Sequence, residues 1–461
     1  MTTLVLGPAG IALVESSQRS REEKISLASM HCGVQPSSCM SLARETLERV
    51  FREEYGRIIS SLIRRAGSFD LAEESLQEAF SKAAAVWERE GVPRKPAAWL
   101  TTVAHRKLLD TWRHEKTKSE KQSELAYEIQ QFRSIEELDD TLEYPDDRLR
   151  LIFTCCHPSL SQEAQVALTL RTLGGLTNTE IARAFVLPES TLAQRLVRAK
   201  SKIRIAKIPY QVPSLELLPD RLRSVQAVVY LIFNEGYAAT AGDSLVRQNL
   251  CAESIRLGRL LCELIPDEPE SLGLLALMLL QNSRRNARVN ELGELVTLEE
   301  QDRLLWDREA IEEGLRLVDE ALRLRVVGPY QLQAAIAAVH AEAKSSSVTD
   351  WRQIVALYNE LFRINPSPVV ALNRAAAIAM SEGPDNGLKL VEELGASGKL
   401  NNYYLFHAAN ADLLRRVQRY HEAERAYLRA LELTTNQVAQ QYIKRRLREL
   451  EACFRAPTKE A

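Results

Sequence analysis

The amino-acid sequence predicts an all-α fold in which two small helical domains, the second a helix-turn-helix, precede a long α-helical, tetratricopeptide-like extension. Three observations lead to this prediction. Apolar residues recur at steps of three or four through residues 41–118, which is the spacing of amphipathic helices. Residues 176–207 contain a capping box, a proline and a basic helix in succession. Residues 331–455 carry a weak repeat of about 34 residues, the length of a tetratricopeptide unit.

The composition indicates a globular chain. Its 461 residues suffice for roughly three domains, and 45% of them are hydrophobic while 26% are charged. No apolar run approaches the ~18–20 residues that a membrane span requires, so no membrane partner is expected. The net charge of −2 does not by itself indicate a nucleic-acid binder, but this average hides charged blocks of opposite sign.

Cysteine usage and the N-terminal sequence together favour a cytoplasmic location. Seven Cys occur without CxxC spacing, which indicates a reducing compartment rather than a disulfide framework or a zinc site. Cys155, Cys156 and His157 are adjacent, which is poor metal geometry, and we expect buried thiols in a helix that Pro158 ends. Residues 1–40 lack the pattern of a signal peptide and are expected to be a disordered tail or an over-long start.

No motif in the sequence indicates catalysis. The chain has no Gly-rich phosphate loop, no HExxH pair, and no Ser or Cys beside a plausible base. The sequence therefore predicts a protein that is not an enzyme and has no catalytic residue, no metal and no cofactor.

Residues 41–118 are predicted to be helical throughout. Asp70 is placed as an N-cap, with Glu73 at the matching capping-box position. From residue 94 to residue 118 there are seven Lys or Arg and two acids, with Trp99 and Trp112 between them. Basic charge with exposed aromatics suits melted DNA, where bases stack and phosphates are neutralised. The alternative is that both Trp side chains belong to the core.

Residues 119–147 invert this charge, with ten acids and two bases. Few residues in this segment can form a core. We therefore expect a flexible acidic linker between two basic modules.

Residues 148–207 form the second predicted module, which ends in the helix-turn-helix. Thr177 and Glu180 have capping-box spacing, and Pro188 ends the first helix and opens the second. The second helix carries an apolar face and several Lys and Arg residues, as a DNA-recognition helix does. The alternative is an ordinary helical hairpin whose basic face is solvated.

Residues 208–330 and 331–455 are interpreted as a helical extension domain followed by tetratricopeptide-like repeats. The segment NEGYAATAGD, residues 234–243, is predicted to be a loop. Its polar residues either line a small-molecule pocket or make a turn with packing roles, and the second interpretation is favoured; they are Asn234, Glu235, Tyr237 and Asp243. Stacked helical repeats form concave surfaces, so the extension is expected to bind a protein partner or another part of the same chain.

Three ordered motifs give the chain a resemblance to a known family. DLAEESLQEAF (residues 70–80), PAAWLTTVAHRKLLDTWR (96–113) and GLTNTEIARAFVLPESTLAQRLVRAKSKI (175–203) resemble the two regions of bacterial alternative sigma factors, the extracytoplasmic-function type of the sigma-70 family. The resemblance covers roughly residues 44–207. The remainder resembles the subgroup that carries a long helical C-terminal extension.

The resemblance implies core RNA polymerase and promoter DNA as partners, and it implies a role for each motif. The first motif would dock on core polymerase through Asp70, Glu73, Glu74, Gln77 and Glu78. The second would bind and melt the −10 element through Trp99, Thr102, His105, Arg106, Lys107, Asp110 and Arg113. The third would read the −35 element through Ser190, Thr191, Gln194, Arg195, Arg198, Lys200 and Lys202.

These residues predict a sigma factor that directs promoter-specific transcription initiation, with a regulatory C-terminal extension. The alternative is a one-component transcriptional activator, in which the helix-turn-helix binds DNA and the extension senses a ligand. A plain activator has no use for the basic, Trp-bearing helix of residues 96–113, so this motif favours the sigma factor.

Overall fold

The computed structural model describes residues 38–116, 147–185, 187–239, 241–242, 245–291 and 293–455. The prediction of an all-α fold is confirmed, because helices account for nearly all regular structure in these ranges. The described strands are two residues long each, and they pair in parallel as Ala241–Gly242 with Thr435–Asn436. None of the described helices is long and apolar enough to cross a membrane.

The described chain divides into two compact units. The first contains the described residues up to 182 together with residues 188–225, and the second contains residues 183–187 and 226–455. The helices that begin in the first unit are α1 Ser38–Ala66, α2 Phe69–Glu90, α3 Pro96–Lys116, α4 Asp147–Cys155, α5 Gln162–Thr172, α6 Asn178–Ala184, α7 Glu189–Ile205 and α8 Leu218–Tyr237.

The first three helices are held together by a dense apolar core. The predicted amphipathic pattern of α1 is confirmed by Ile59 and Leu62, which are fully buried together with Leu76 of α2 and Leu100 of α3. Burial of a Leu or Ile side chain contributes about 1.5–3 kcal/mol, so these contacts are the main stabilising term of the module.

The predicted N-cap of α2 is wrong. The helix begins at Phe69, and Ser68 is the cap, because its hydroxyl accepts a hydrogen bond from the Leu71 backbone N–H. Asp70 lies in the first turn instead, where its charge still complements the helix dipole. Glu73 makes no capping box and contacts a distant lysine instead.

Two predicted segments lie mostly outside the described residues. The acidic linker, residues 119–147, is described only at Asp147, which begins α4. The predicted N-terminal tail, residues 1–40, is described only at its last three residues, and these are already helical in α1.

The second unit continues from α8 as a series of helices joined by short loops. Those that follow are α9 Gln248–Leu264, α10 Pro269–Asn282, α11 Arg308–Arg323, α12 Pro329–Glu342, α13 Trp351–Ile364, α14 Pro368–Glu382, α15 Pro384–Ala396, α16 Tyr404–Arg416, α17 Tyr420–Leu433 and α18 Gln437–Arg455.

The segment predicted as the NEGYAATAGD loop is partly helical, which corrects the prediction. Helix α8 runs on through Asn234 and Glu235 to Tyr237 before it ends. Gly236 lies in the last turn of this helix. An added Cβ atom there would lie only 2.7 Å from the backbone nitrogen of Cys251, so a larger residue would clash. Asp243 lies outside the described residues.

The helices of the predicted repeats pack through small and aromatic residues. Tyr427 of α17 is fully buried among Ala411, Ala423 and Ala430, and the whole cluster has little contact with water. Small residues allow neighbouring helices to approach closely, which is how tetratricopeptide-like pairs stack.

The long connection between α10 and α11 folds back on its own start. The backbone N–H of Asp307 donates to the carbonyl of Ser283 at 2.9 Å, which brings the two ends together. Short 3₁₀ turns, Arg285–Ala287 and Arg303–Leu305, form within it. The loop thereby carries Arg284 and Trp306 into the interior of the second unit.

Gly387 provides a test of this packing. An added Cβ atom would lie 2.4 Å from the Ala379 Cβ and 2.8 Å from the Ala375 carbonyl oxygen, so α15 would have to move away from α14. We expect Gly387→Ala to destabilise the second unit by about 1–3 kcal/mol in chemical denaturation, even though Ala favours a helix.

The control for this prediction is Gly395→Ala in the same helix. Its added Cβ atom meets only the far end of the Phe406 ring at 3.1 Å, and that ring can shift. We expect a smaller loss than at Gly387. Equal stability of Gly387→Ala and the wild-type protein would contradict the described packing.

Candidate nucleic-acid interface

The first helix of the helix-turn-helix begins with the predicted capping box. The Thr177 hydroxyl accepts a hydrogen bond from the Glu180 backbone N–H, and the Glu180 carboxylate accepts one from the Thr177 backbone N–H at 2.8 Å. This reciprocal arrangement confirms the prediction. Across the turn, the Thr179 hydroxyl donates to the Glu189 carboxylate at 3.0 Å.

Helix α7 divides into a buried face and an exposed face. Leu192, Leu196, Ala199 and Ile203 are buried. Most of the predicted −35 residues lie on the exposed side, while Arg195 is half-buried. The exposed members are Ser190, Thr191, Gln194, Arg198 and Lys202.

The N-terminus of α7 has no side-chain cap and carries the acidic Glu189 in its first turn. Pro188 opens α7 as predicted, in the N-cap position, but it does not end α6, which stops earlier at Ala184. Helix N-termini with free N–H groups attract phosphate, because the helix dipole adds to the hydrogen bonds. Ser190 and Thr191 are exposed beside these groups. Contact of this turn with the DNA backbone stays a prediction.

Lys200 is placed differently from the other predicted −35 residues. Its ammonium group lies 2.7 Å from a Glu73 carboxylate oxygen and 3.4 Å from an Asp70 carboxylate oxygen. The side chains of Lys200 and Glu73 are only 14% and 13% exposed. Lys200 was predicted to contact DNA, whereas Glu73 and Asp70 were predicted to contact polymerase. The sequence did not predict that these residues pair with one another.

The predicted −10 residues of α3 fall into an exposed row and a packed group. Thr102, Arg106 and Asp110 are exposed and follow one another at intervals of four residues, so they share one face of the helix. The Thr102 hydroxyl donates to the Ala98 carbonyl of its own helix at 2.9 Å. The side chain of Arg113 lies outside what the structure describes.

Trp99 is half-buried rather than freely exposed. Its ring packs edge-on against the buried Trp87 ring of α2, with centroids 5.6 Å apart. The contact anchors the start of α3 and leaves part of the indole accessible. Trp99 is therefore partly a core residue, and its use as a stacking platform stays a prediction.

His105 belongs to the interior of the module. Its Nδ1 atom contacts the Arg65 guanidinium of α1. Burial, followed by the charges of Arg65 and Arg64, lowers the pKa of His105 to about 4. The imidazole is therefore neutral at physiological pH, and its role in this form is to connect α3 to α1 rather than to contact phosphate.

The predicted polymerase-binding carboxylates are also divided by their contacts. Glu74 and Gln77 are exposed on α2. Glu78 is exposed too, but it pairs with Lys107 of α3 at 2.6 Å. This hydrogen bond raises the pKa of Lys107. The predicted docking face and the predicted −10 helix therefore share an ion pair within one module.

The two modules pack directly against each other inside the first unit. An added Cβ atom at Gly56 of α1 would lie 3.1 Å from the carbonyl oxygen of Leu173, which follows α5. Gly175 has a left-handed backbone with φ of +63°, and its added Cβ atom would lie 3.1 Å from the Phe51 carbonyl oxygen. Glycine at both positions lets the two backbones touch.

Polar contacts surround this backbone contact. The Arg171 guanidinium lies 5.5 Å from the centroid of the buried Tyr55 ring. The Tyr210 hydroxyl donates to the Ser60 carbonyl at 2.8 Å and to the Asp147 carbonyl at 3.2 Å. Sequence reasoning missed these residues, because their partners are distant in the chain and form no local pattern.

Cys155 and Cys156 are buried at the end of α4, as predicted. Their sulfur atoms lie 3.3 Å from the Thr172 hydroxyl and 3.6 Å from the Thr169 hydroxyl. Burial raises the pKa of the Cys156 thiol to about 12, so this thiol is unreactive.

Comparison with known proteins gives matches in the order of the two modules. Residues 50–117 match the family model described as Sigma-70 region 2. Residues 150–203 match the model described as Sigma-70, region 4. Residues 221–322 match a third model, described as a family of unknown function (DUF6596).

A relative of similar length also exists. An uncharacterised protein of Rhizobium meliloti (strain 1021) is 44% identical over 398 residues, which cover 86% of this chain and 93% of the relative. The likeness therefore extends through the C-terminal part of the chain.

The helix-turn-helix, the basic α3 and the two ordered matches define a DNA-binding transcription initiation factor. The chain belongs to the sigma-70 family of RNA polymerase sigma factors and carries a helical C-terminal extension.

The Lys200 ion pair yields a direct test of module packing. Lys200→Met removes the partner of a carboxylate that is largely buried and whose second oxygen has no hydrogen bond. We expect a loss of about 1–3 kcal/mol in the unfolding free energy of the first unit. Lys202→Met, on the exposed side of the same helix, is the control and should change stability little. Equal effects of the two variants would contradict the assigned role of Lys200.

Proposed function

We propose that this sigma factor binds core RNA polymerase through the carboxylate face of α2 and directs promoter-specific initiation through α3 and α7. The observation that carries the proposal is the exposure of three separate polar faces on these helices. They are a carboxylate face on α2, a row of polar residues on α3 and a helix-turn-helix face on α7.

The −35 element is assigned to α7. Gln194 and Arg195 have the side chains that read base edges, since Gln can pair with adenine and Arg with guanine in the major groove. Ser190, Thr191 and the open first turn of the helix would hold phosphate, which fixes the register without reading sequence. Arg198 and Lys202 extend the same face.

The −10 element is assigned to the exposed row of α3. Arg106 supplies positive charge at its centre, and the accessible part of Trp99 offers a surface on which an unpaired base can stack. Thr102 and Asp110 add hydrogen-bonding groups on the same face. Together these groups suit a single strand better than a closed duplex.

Polymerase docking and promoter binding require the two modules to separate. A −10 and a −35 element are distinct stretches of duplex, whereas the modules of the described form share a backbone contact at Gly56 and an ion pair at Lys200. A basic polymerase surface would compete with Lys200 for Glu73. Docking would thus release α7 to reach its own element, and polymerase would then set the spacing.

The extension is proposed to regulate this activity through a protein partner or a contact within the chain. We assign the chain to the extracytoplasmic-function type and to the cytoplasm, where core polymerase is found. Sigma-70 family members are generally non-enzymatic, and the match to region 2 favours this role over that of a one-component activator.

Arg195→Ala tests the −35 assignment. Loss of a base contact in the major groove costs about 1–3 kcal/mol, so we expect run-off transcription from a −35-dependent promoter to fall roughly 5- to 150-fold. Retention on core polymerase should stay normal. Arg204→Ala, exposed at the far end of α7, is the control and should change output little. Unchanged output from Arg195→Ala would count against the assignment.

Glu74→Lys tests the docking face. A reversed charge on an exposed α2 residue should repel a basic polymerase surface, so we expect retention on core polymerase in a pull-down to fall about tenfold. Glu90→Lys, exposed at the other end of the same helix, should be retained normally. If both variants are retained alike, α2 does not dock through Glu74.

A further inference from the structure

Three arginines converge in the interior of the second unit. The Arg288 guanidinium lies 3.8 Å from the centroid of the Tyr237 ring, and the Arg284 guanidinium lies 6.0 Å from the same centroid. The Trp306 ring is likewise shared, at 5.8 Å from Arg284 and 4.7 Å from Arg303. Cations and aromatic rings thus alternate through the cluster.

The arginines of this cluster are almost fully buried. Arg284 is 4% exposed, Arg288 is 2% exposed and Arg303 is 8% exposed. Among the residues that the structure describes, no carboxylate lies within ion-pair distance of any of the three. A guanidinium stays protonated in a protein, so these positive charges are buried without a carboxylate partner among the described residues. Such an arrangement is unfavourable unless another group supplies the charge.

Two of the three arginines have a structural explanation. The Arg303 guanidinium donates to the carbonyls of His340 and Ala343, and so satisfies the end of α12. The Arg288 guanidinium donates to the Tyr237 carbonyl at the end of α8. Arg284 has no such role: its Nε atom is unpaired, its side chain makes no hydrogen bond among the described residues, and its guanidinium lies near the Tyr237 and Trp306 rings. If Arg284 served only in packing, an apolar side chain at this position would make the protein more stable.

The unpaired atoms around Arg284 are mainly donors. The Nε atoms of Arg284 and Arg288 and the indole N–H of Trp306 are buried without a hydrogen-bond partner. His340 is also buried, and both of its ring nitrogens are unpaired. Burial, followed by the charges of Arg284 and Arg303, lowers the pKa of His340 to about 3, so the imidazole is neutral. Apart from one nitrogen of the neutral His340 ring, these unpaired atoms are donors, and an anion would accept hydrogen bonds from them.

We propose that this cluster is a binding site for a small molecule that carries a phosphate or carboxylate group. Oxyanions accept several hydrogen bonds at once, and a guanidinium fork matches their geometry. The flanking rings of Tyr237 and Trp306 exclude water, which strengthens each charged hydrogen bond. The site lies within the segment that the third family model matches. A ligand bound there would give the extension a signal to which it responds.

The test uses purified full-length protein in a phosphate-free buffer. Inorganic phosphate, malonate and chloride are titrated separately at equal ionic strength, and binding is followed by calorimetry and by the thermal unfolding of the second unit. We expect phosphate or malonate to bind and to raise the unfolding temperature, because a ligand stabilises the state that it binds. Response to phosphate alone would identify a phosphoryl ligand, and response to malonate alone would identify a carboxylate ligand.

Arg284→Met is the decisive variant, because it keeps the length of the side chain and removes the charge. We expect it to bind the effective anion about tenfold more weakly or worse. Arg285→Met is the matched control: this neighbouring arginine pairs with Asp307 at 3.1 Å and lies outside the cluster, so anion binding should be retained.

Three outcomes would overturn the proposal. They are a response to phosphate and malonate no larger than that to chloride, unchanged affinity in Arg284→Met, and an equal loss in Arg285→Met. If Arg284→Met does not fold, Arg284→Lys replaces it, since it keeps the charge but loses the fork. Undiminished binding by this second variant would also overturn the proposal.

Discussion

The Lys200 ammonium group, 2.7 Å from Glu73, ties the recognition helix of the second module to the carboxylate face of the first. The pair is largely shielded from water, so removing one partner leaves the other charge buried and costs more than losing an ordinary surface pair, which contributes about 0–1 kcal/mol. Together with the backbone contact at Gly56, it makes one compact unit of two modules whose proposed DNA elements are separate. In the proposed mechanism, promoter binding depends on breaking this contact.

Lys200 and the arginine cluster have different kinds of neighbours. In the first unit the largely buried Lys200 has carboxylate neighbours, so the cost of its burial is offset inside the protein. In the second unit Arg284 and Arg288 have ring and backbone neighbours instead. The former arrangement suits a contact that a basic partner can displace, whereas the latter suits a site that an external anion completes. The overall charge of −2 reveals neither.

The sequence predicted what local chemistry determines. The all-α class and the capping box of Thr177 follow from periodicity and from neighbours three residues apart, and both are confirmed. The predicted N-cap of α2 was wrong because Ser68 and Asp70 lie close together and both are suitable cap residues. The Ser68 hydroxyl accepts the hydrogen bond from the Leu71 N–H. The partner of Lys200 is 127 residues away, so no local pattern contains it. The burial of Arg284 likewise depends on tertiary packing.

The distance between the two modules tests the central claim most directly. Fluorophores at the exposed positions Ala84 of α2 and Ile205 of α7 report this distance in the full-length chain. Purified core polymerase is then added, and energy transfer and run-off transcription are followed in the same sample. The account predicts that energy transfer falls as the modules separate and that promoter-dependent transcripts appear. Unchanged energy transfer in a complex that initiates transcription would contradict it.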